Sequence, residues 1–341
     1  MDLIRGLRRL FSRRMLLRLL TVVTGVLGLA AAATLIVDNG PGRIAALVGL
    51  AGFGLLWLLP IRLLVMALNA QGWRDLFPKT APVSLGLLTW AAFVRNAINT
   101  LLPVARVGGE VMAPHLLARR GVSLPFAIAS VVVETTVTLF VQMAMTLVGL
   151  GLLASYIGDP ALSHSLLIGL AVAFPVVLLF VLVQVRSAPF SRLQPLIRRL
   201  TGPLSAPLLD GEAVDDALRT LYTRGPALLR CAFWQGLSML GGAGEFWVIL
   251  RLLHEPVSLR LVVMLEVLIQ ALQSAAFIVP GALGVQEGGL VAVGAAAGLS
   301  AEVALAVSLI RRIRQVGVSL PVLLVWMRTR GGGRPLKGEP A

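Results

Sequence analysis

Hydrophobic residues run almost unbroken through six stretches of the chain, roughly 15–37, 44–69, 124–154, 164–185, 227–253 and 301–327. Each is about the ~20 residues or more with which an α-helix crosses ~30 Å of hydrocarbon. Alternation over ~10-residue segments, the mark of a transmembrane β-barrel, does not organise them, so the pattern predicts helices that satisfy their own backbone in lipid. Two further apolar runs, 83–102 and 258–279, lead straight into polar interruptions. The first becomes LLPVARVGGEVMAPHLLARRG, Leu101 to Gly121, and the second FIVPGALGVQEGG. A Pro and Gly break frees backbone groups that hydrocarbon cannot satisfy, so it persists only where protein or a wet cavity receives it. The two interruptions are therefore expected to face each other inside the protein, hinged at Pro103, Gly108 and Gly109 and at Pro280, Gly281 and Gly284.

Composition agrees with this reading and narrows it. Of 341 residues, 57% are hydrophobic and 13% charged, with a mean hydropathy of +0.89, outside the range of soluble globular chains. The net charge of +14 sits in the tails and loops that flank apolar runs and does not interleave with aromatics on one face, which favours anionic lipid headgroups over nucleic acid as the contact. A single cysteine, Cys231, excludes an internal disulfide framework. His115, His164 and His254 have no metal-ligand spacing and read as interfacial polar residues, so no metal site and no cofactor is expected. The first twenty residues carry six arginines, but the run to Val37 has full membrane length and no clear cleavage site, so it is expected to remain as a first span.

Lys and Arg set the expected orientation. The 1–14 tail, the 70–79 connection, the Arg119–Arg120 pair, the 186–226 connector with its six arginines, and the 328–341 tail are all expected on the cytoplasmic side. That placement holds if 83–118 and 258–298 are hairpins that enter from opposite faces; Arg251 and Arg260 run against it unless they snorkel. The connector carries an acidic patch, Asp210, Glu212, Asp215 and Asp216, and reads as a solvated link between two halves, 44–154 and 227–327, or as a docking surface for a biosynthetic partner.

The halves resemble each other. An ungapped offset of 177 pairs Pro103 with Pro280, Ala105 with Ala282, Glu110 with Glu287, Ala118 with Ala295, Gly121 with Gly298, Ser123 with Ser300, Ala127 with Ala304 and Ala129 with Ala306. These eight identities in 32 positions exceed the roughly three expected by chance. Combined with the parity argument, they predict an all-α polytopic membrane protein: about six full spans and two broken re-entrant-type hairpins arranged as inverted repeats. In that architecture substrate sites lie near the midplane between interrupted helices.

The candidate cavity residues follow from polar groups in apolar helices. Glu134 falls on Arg311 at the same offset, and a charge at a helix centre costs about 2.5–3.5 kcal/mol on insertion scales, so the two are expected to pair. Arg312 and Arg314 lie on other faces of that helix, and at least one needs an acceptor. Arg95, Asn96 and Asn99 in the first hairpin, and Gln270 and Gln273 in the second, are further candidates, with Arg106 and Gln286 beside the breaks. Glu110 and Glu287 each open a short helix after a break, where a carboxylate either caps free N–H groups or meets a ligand. Arg62, Arg230 and Glu245 are lesser candidates. Phosphate-cradling loops, nucleophile elbows and metal spacings are absent, and no nucleophile accompanies the three carboxylates, so no enzymatic activity is expected.

NAINTLLPVARVGGEV and FIVPGALGVQEGGLVAVGAAAGLSAEVALAVSLIRRIR resemble the hopanoid-biosynthesis-associated membrane proteins, a branch of the superfamily of lysylphosphatidylglycerol synthase transmembrane, or flippase-like, domains. The resemblance covers nearly the whole chain, and VPGALGVQEGG is its most specific part. It implies a bacterial inner-membrane protein that moves a lipid, hopanoid or phospholipid, with hopanoids travelling toward the outer membrane as the suggested cargo. Pro103–Glu110, Pro280–Glu287 and Arg311 stand at the family's characteristic positions, while Thr100 replaces an expected asparagine and Gln315 an expected acid. Bifunctional relatives carry a soluble aminoacyl-transferase domain after this one; with the sequence ending at Ala341, aminoacylation is not expected. The alternative is a non-transporting scaffold that binds lipid or gathers hopanoid-biosynthesis proteins.

Overall fold

A computed structural model describes residues 13–102, 108–157, 210–276 and 279–330, together with isolated positions between 175 and 192; side chains are described from Val23 onward. The expected span 164–185 lies almost wholly outside the described residues, as do Pro103, Arg106, His164 and most of both tails. All regular structure among the described residues is helical.

In chain order the helices are α1 (Arg13–Asp38), α2 (Pro41–Ala51), α3 (Leu58–Arg74), α4 (Leu85–Leu101), α5 (Gly108–Ala118), α6 (Leu124–Ile157), α7 (Gly211–Tyr222), α8 (Gly225–Leu252), α9 (Leu259–Ala275), α10 (Val285–Ala296) and α11 (Ala301–Arg330). A 3-10 stretch, Gly52–Trp57, joins α2 to α3, so the run expected at 44–69 is one rod over 41–74 with tighter winding inside it. This rod and α6 are the described helices that are both long and apolar enough to cross a bilayer by themselves. Helices α8 and α11 have 28 and 30 residues, ample length at ~1.5 Å each, but carry charges that turn inward.

The series long helix, hairpin helix, short helix, long helix occurs twice, as α3–α6 and as α8–α11. Packing between the two is reciprocal: α6 lies against α9 and α8, as α11 lies against α4 and α2, and α3 runs along α8. Two apolar cores draw on both halves, one around Trp73, Leu88, Leu117 and Val133 with Cys231 of α8, the other around Phe246, Met264, Ile269 and Ile310 with Ile44 of α2 and Leu58 of α3. A third cluster, with Val94, Ile98, Leu323 and Trp326, seals the crossing of α4 and α11.

Local chemistry explains why the series repeats. Ser84 and Ser258 cap α4 and α9 by accepting the N–H groups of Leu87 and Leu261. Gly121 and Gly298 end the short helices with φ of 93° and 81°, a left-handed turn that a side chain resists. Ser300 then accepts the N–H of Val303 at the start of α11, and Ala127 and Ala129 of α6 and Ala304 and Ala306 of α11 are buried at matching places in the two cores. The register needs one correction. The N-caps Ser84 and Ser258 are 174 residues apart, whereas Glu110 and Glu287 are 177 apart, so the second interruption is three residues longer and Asn96 and Asn99 correspond to Gln270 and Gln273. Helices α4 and α9, each of 17 residues, extend about 25 Å, short of the ~30 Å hydrocarbon thickness.

The connector is not a solvated link throughout. In α7, Val214, Leu218 and Leu221 fall on one face and are buried against α6. Asp210 caps this helix through the N–H of Ala213, and buried Asp215 accepts the N–H groups of Phe190 and Ser191. Two of the four acids in the patch are thus consumed by the fold. Radially, the polarity is that of a membrane protein: Phe53, Trp57 and Leu229 are 91%, 70% and 74% exposed, while Glu134 and Glu266 are 1% and 2% exposed.

Candidate functional site

A cavity of about 250 Å³ lies between the two series of helices. Helix α3 contributes Arg62, Met66 and Asn69; α4 gives Asn96; α6 gives Thr138; α8 gives Gln235, Ser238 and Glu245. From the other side come Glu266, Gln270, Gln273 and Ser274 of α9, Gln286 of α10, and Arg311, Arg314 and Gln315 of α11. Amide side chains dominate the wall. They both donate and accept, so they can hold water or the polar part of a ligand without a fixed charge requirement.

Around this cavity, arginine–carboxylate pairs settle the charges. Arg95 Nη1 stands 2.6 Å from Glu134 Oε2, with Nη2 3.3 Å from Oε1, while its cation lies 5.5 Å from the centre of the Trp73 ring. Arg311 Nη1 stands 2.7 Å from Glu266 Oε2, with Nη2 3.3 Å from Oε1, and lies 5.3 Å from the Phe246 ring. Both are two-point contacts between a planar guanidinium and a carboxylate, backed by an aromatic face. Gln235 and Asn69 also donate to Glu134, at 2.8 and 3.3 Å, and Gln270 donates to Glu266 at 2.8 Å. A further ion pair brings Arg314 Nε to 2.6 Å from Glu245 Oε1, off the direction of a linear hydrogen bond.

The expected Glu134–Arg311 pair is therefore corrected. Each charge finds its partner on the hairpin helix of its own series, Arg95 on α4 for Glu134 and Glu266 on α9 for Arg311. Glu266 did not stand out in the sequence, although a carboxylate four residues before Gln270 in an otherwise apolar run was the available signal. With both partners close at hand, a bond across the halves is not needed to remove either charge from hydrocarbon.

The two interruptions are held differently. In the first, Asn99 Oδ1 accepts the N–H of Gly109 at 2.8 Å, and Glu110 lies 3.4 Å from both Arg95 and Asn99. Asn99 thus does the capping that the position of Glu110 suggested, and a side chain at Gly109 would collide with Asn99 and the Arg95 carbonyl. In the second, Glu287 Oε2 accepts the N–H of Gly284 at 2.8 Å, so it caps the short helix, one of the two roles open to it in the sequence. Arg312 donates to Glu287 at 3.0 Å and to the carbonyls of Gly281 and Ala282, so it clamps the interruption and is not among the cavity residues. Gly281 and Gly284 take φ of 59° and 75°, left-handed values that favour glycine at this interruption. This interruption packs on α4 and α1, near the Thr100 carbonyl, and Gln315 donates to Thr100 Oγ1 at 3.2 Å. The two family departures, Thr100 and Gln315, therefore bond to each other.

A relay of hydrogen bonds joins cavity and clamp. Gln273 donates to Gln286 at 2.9 Å, Gln286 to Ser308 Oγ at 2.8 Å, and Ser308 to Glu287 at 3.1 Å. Of the sequence candidates, Asn96, Gln270, Gln273, Gln286 and Arg311 line the cavity, while Arg95, Asn99, Glu110 and Glu134 form the network beside it. Arg62 and Glu245 line it too. Arg230 does not: it is exposed and faces Asp75 at 3.6 Å. Asn69, Gln235 and Thr138, polar residues within apolar helices, were missed.

The sequence matches the family model of the lysylphosphatidylglycerol synthase TM region over residues 15–322. No curated protein and no solved structure matches the chain. With most of its length covered, the chain belongs to this family and is a polytopic helical membrane protein with a lipid-related function.

Proposed function

We propose that this member of the lysylphosphatidylglycerol synthase transmembrane family is a flippase-like lipid transporter without enzymatic activity. It acts in a bacterial inner membrane, with both termini cytoplasmic, and carries hopanoids toward the outer membrane. Two inverted halves enclose a polar cavity near the midplane, where the headgroup crosses while rings or acyl chains remain in the bilayer. The observation that carries this reading is the cavity itself: about 250 Å³ walled by amides and five charged side chains inside a bundle whose outer face is apolar. Such a wall lowers the barrier that hydrocarbon raises against a polar headgroup, and a volume this size fits a headgroup but not a whole lipid. The basic tails and connector support the cytoplasmic placement. Because α7 spends its apolar face and Asp215 on the fold itself, the connector offers less to a scaffold.

Reconstitution tests the proposal. Purified protein in liposomes containing a fluorescent hopanoid or phospholipid is expected to expose inner-leaflet label to an external quencher at least tenfold faster than empty liposomes. Arg311→Ala, purified to the same monodispersity, is expected to lose most of that rate. Rates equal to those of empty liposomes would remove transport from consideration.

A further inference from the structure

A second hollow, of about 570 Å³, shares no lining residue with the central cavity. Its walls are helix ends: Leu87 and Trp90 come from the first two turns of α4, Leu116 from the last turn of α5, and Val325 and Thr329 from the last two turns of α11. Arg119 and Arg120, just past α5, complete it. The hollow therefore lies at one end of these helices, where they leave the hydrocarbon. On its inner side Trp90 and Leu116 pack into the cluster that seals the crossing of α4 and α11. On its outer side Val325 belongs to the exposed apolar residues of α11, with Leu320 and Leu324. An apolar wall is thus continuous with the surface that meets acyl chains, so an occupant enters from the bilayer. At the polar edge Arg119 and Arg120 are both exposed. Among the described residues neither has a carboxylate within ion-pair distance, and no acid lines the hollow. Membrane orientation asks only for basic residues somewhere in such a loop. Setting two of them beside an apolar pocket and an indole, a ring suited to the headgroup level, goes beyond that requirement.

We infer that this peripheral hollow binds a resident membrane lipid with an anionic headgroup. Arg119 and Arg120 hold the headgroup phosphate, whose oxygens match the guanidinium fork, and an acyl chain lies over Leu87, Leu116 and Val325. Charge selects this occupant: a headgroup of no net charge leaves the two arginines to water, whereas an anionic one meets both. The walls come from the first hairpin and from the last helix of the second series, so the lipid braces a contact between the halves. It is a ligand of the bundle's outer surface, separate from any cargo of the central cavity, and its binding does not depend on the transport reading.

Bromine on an acyl chain quenches a neighbouring indole, which gives a local readout at Trp90. The full chain is placed in phosphatidylcholine nanodiscs, and the Trp90 signal is taken as the difference between the unaltered protein and Trp90→Phe. At one low mole fraction, brominated phosphatidylglycerol is expected to quench that signal at least threefold more than brominated phosphatidylcholine with the same chains. Arg119→Gln combined with Arg120→Gln is expected to bring the two lipids level. Thr329→Glu, which sets a carboxylate on the wall and leaves both arginines in place, is expected to do the same should the double variant fail to fold. Arg74→Gln combined with Lys79→Gln removes two exposed cations that do not line the hollow and is expected to leave the preference intact. Soluble glycerol phosphate in hundredfold excess is expected not to relieve the quenching. Equal quenching by the two lipids in the unaltered protein, or an undiminished preference in either folded hollow variant, would overturn the site. A loss in the Arg74 and Lys79 variant as great as in the Arg119 and Arg120 variant would replace the site with diffuse attraction to basic residues, and relief by glycerol phosphate would overturn a lipid as the occupant.

Discussion

The two hairpins use the same geometry with opposite signs. In the first, arginine sits on the hairpin helix and glutamate on the long helix that follows; in the second, glutamate sits on the hairpin helix and arginine on the long helix. Each pair is two-pronged and each arginine leans on an aromatic ring. What repeats, then, is a buried pair at a given crossing, and which partner carries which charge is free to invert. Among the described residues the bonds at the two interruptions also differ in kind. A neutral amide holds Gly109, whereas an ion pair holds Gly284 and two neighbouring carbonyls.

The largest expected effect comes from stranding one member of a pair. Glu266→Ala, or Glu134→Ala combined with Glu110→Gln, leaves an arginine buried without a carboxylate partner, a loss of about 3–5 kcal/mol. Either variant is expected to unfold at markedly lower temperature in detergent than the unaltered protein. Giving the first hairpin the polarity of the second, by Arg95→Glu with Glu134→Arg and with Glu110→Gln to remove the second carboxylate near Arg95, is expected to recover most of that loss. Failure to recover more than either reversal alone would show that the sign is fixed at each crossing.

A smaller effect separates the interruptions. Glu287→Gln removes a charged hydrogen-bonding partner from Arg312 and is expected to cost about 2–3 kcal/mol, against about 1 kcal/mol for Asn99→Ala. Amide hydrogen exchange at Gly281–Gly284 and at Gly109 reads both, with faster opening expected at the second interruption in Glu287→Gln than at the first in Asn99→Ala. Equal acceleration would erase the distinction between clamp and cap. The smallest expected effect is the most symmetric: Gly121→Ala and Gly298→Ala each force a side chain into a left-handed turn, for a loss of about 1 kcal/mol apiece. Thermal unfolding that differs widely between them would mean the two turns bear unlike loads.

The sequence revealed the backbone more fully than the pairing. Gly121, Gly298, Ser300 and the buried alanines were visible as identities because turns, caps and close helix contacts admit few residue types. Side-chain partners were not, since an ungapped offset aligns Glu134 with Arg311 but says nothing of which neighbour each meets. A three-residue difference in the second interruption also hid the match of Asn96 and Asn99 with Gln270 and Gln273. The acidic connector misled for a related reason: composition shows Asp215 as charge, while only the packed α7 shows it accepting two backbone N–H groups.

Water and charge inside, with lipid outside, are what headgroup passage requires, and cysteine reactivity measures both. Cys231 is the sole cysteine and is buried, so Cys231→Ala gives a clean background. In membranes, Ser274→Cys on the cavity wall is expected to react with a water-soluble sulfonate thiol reagent at least tenfold faster than Phe53→Cys on the apolar outer face, and phosphatidylglycerol is expected to slow it. Reaction at Ser274→Cys no faster than at Phe53→Cys, and unaffected by lipid, would contradict a wet path through the centre of the bundle.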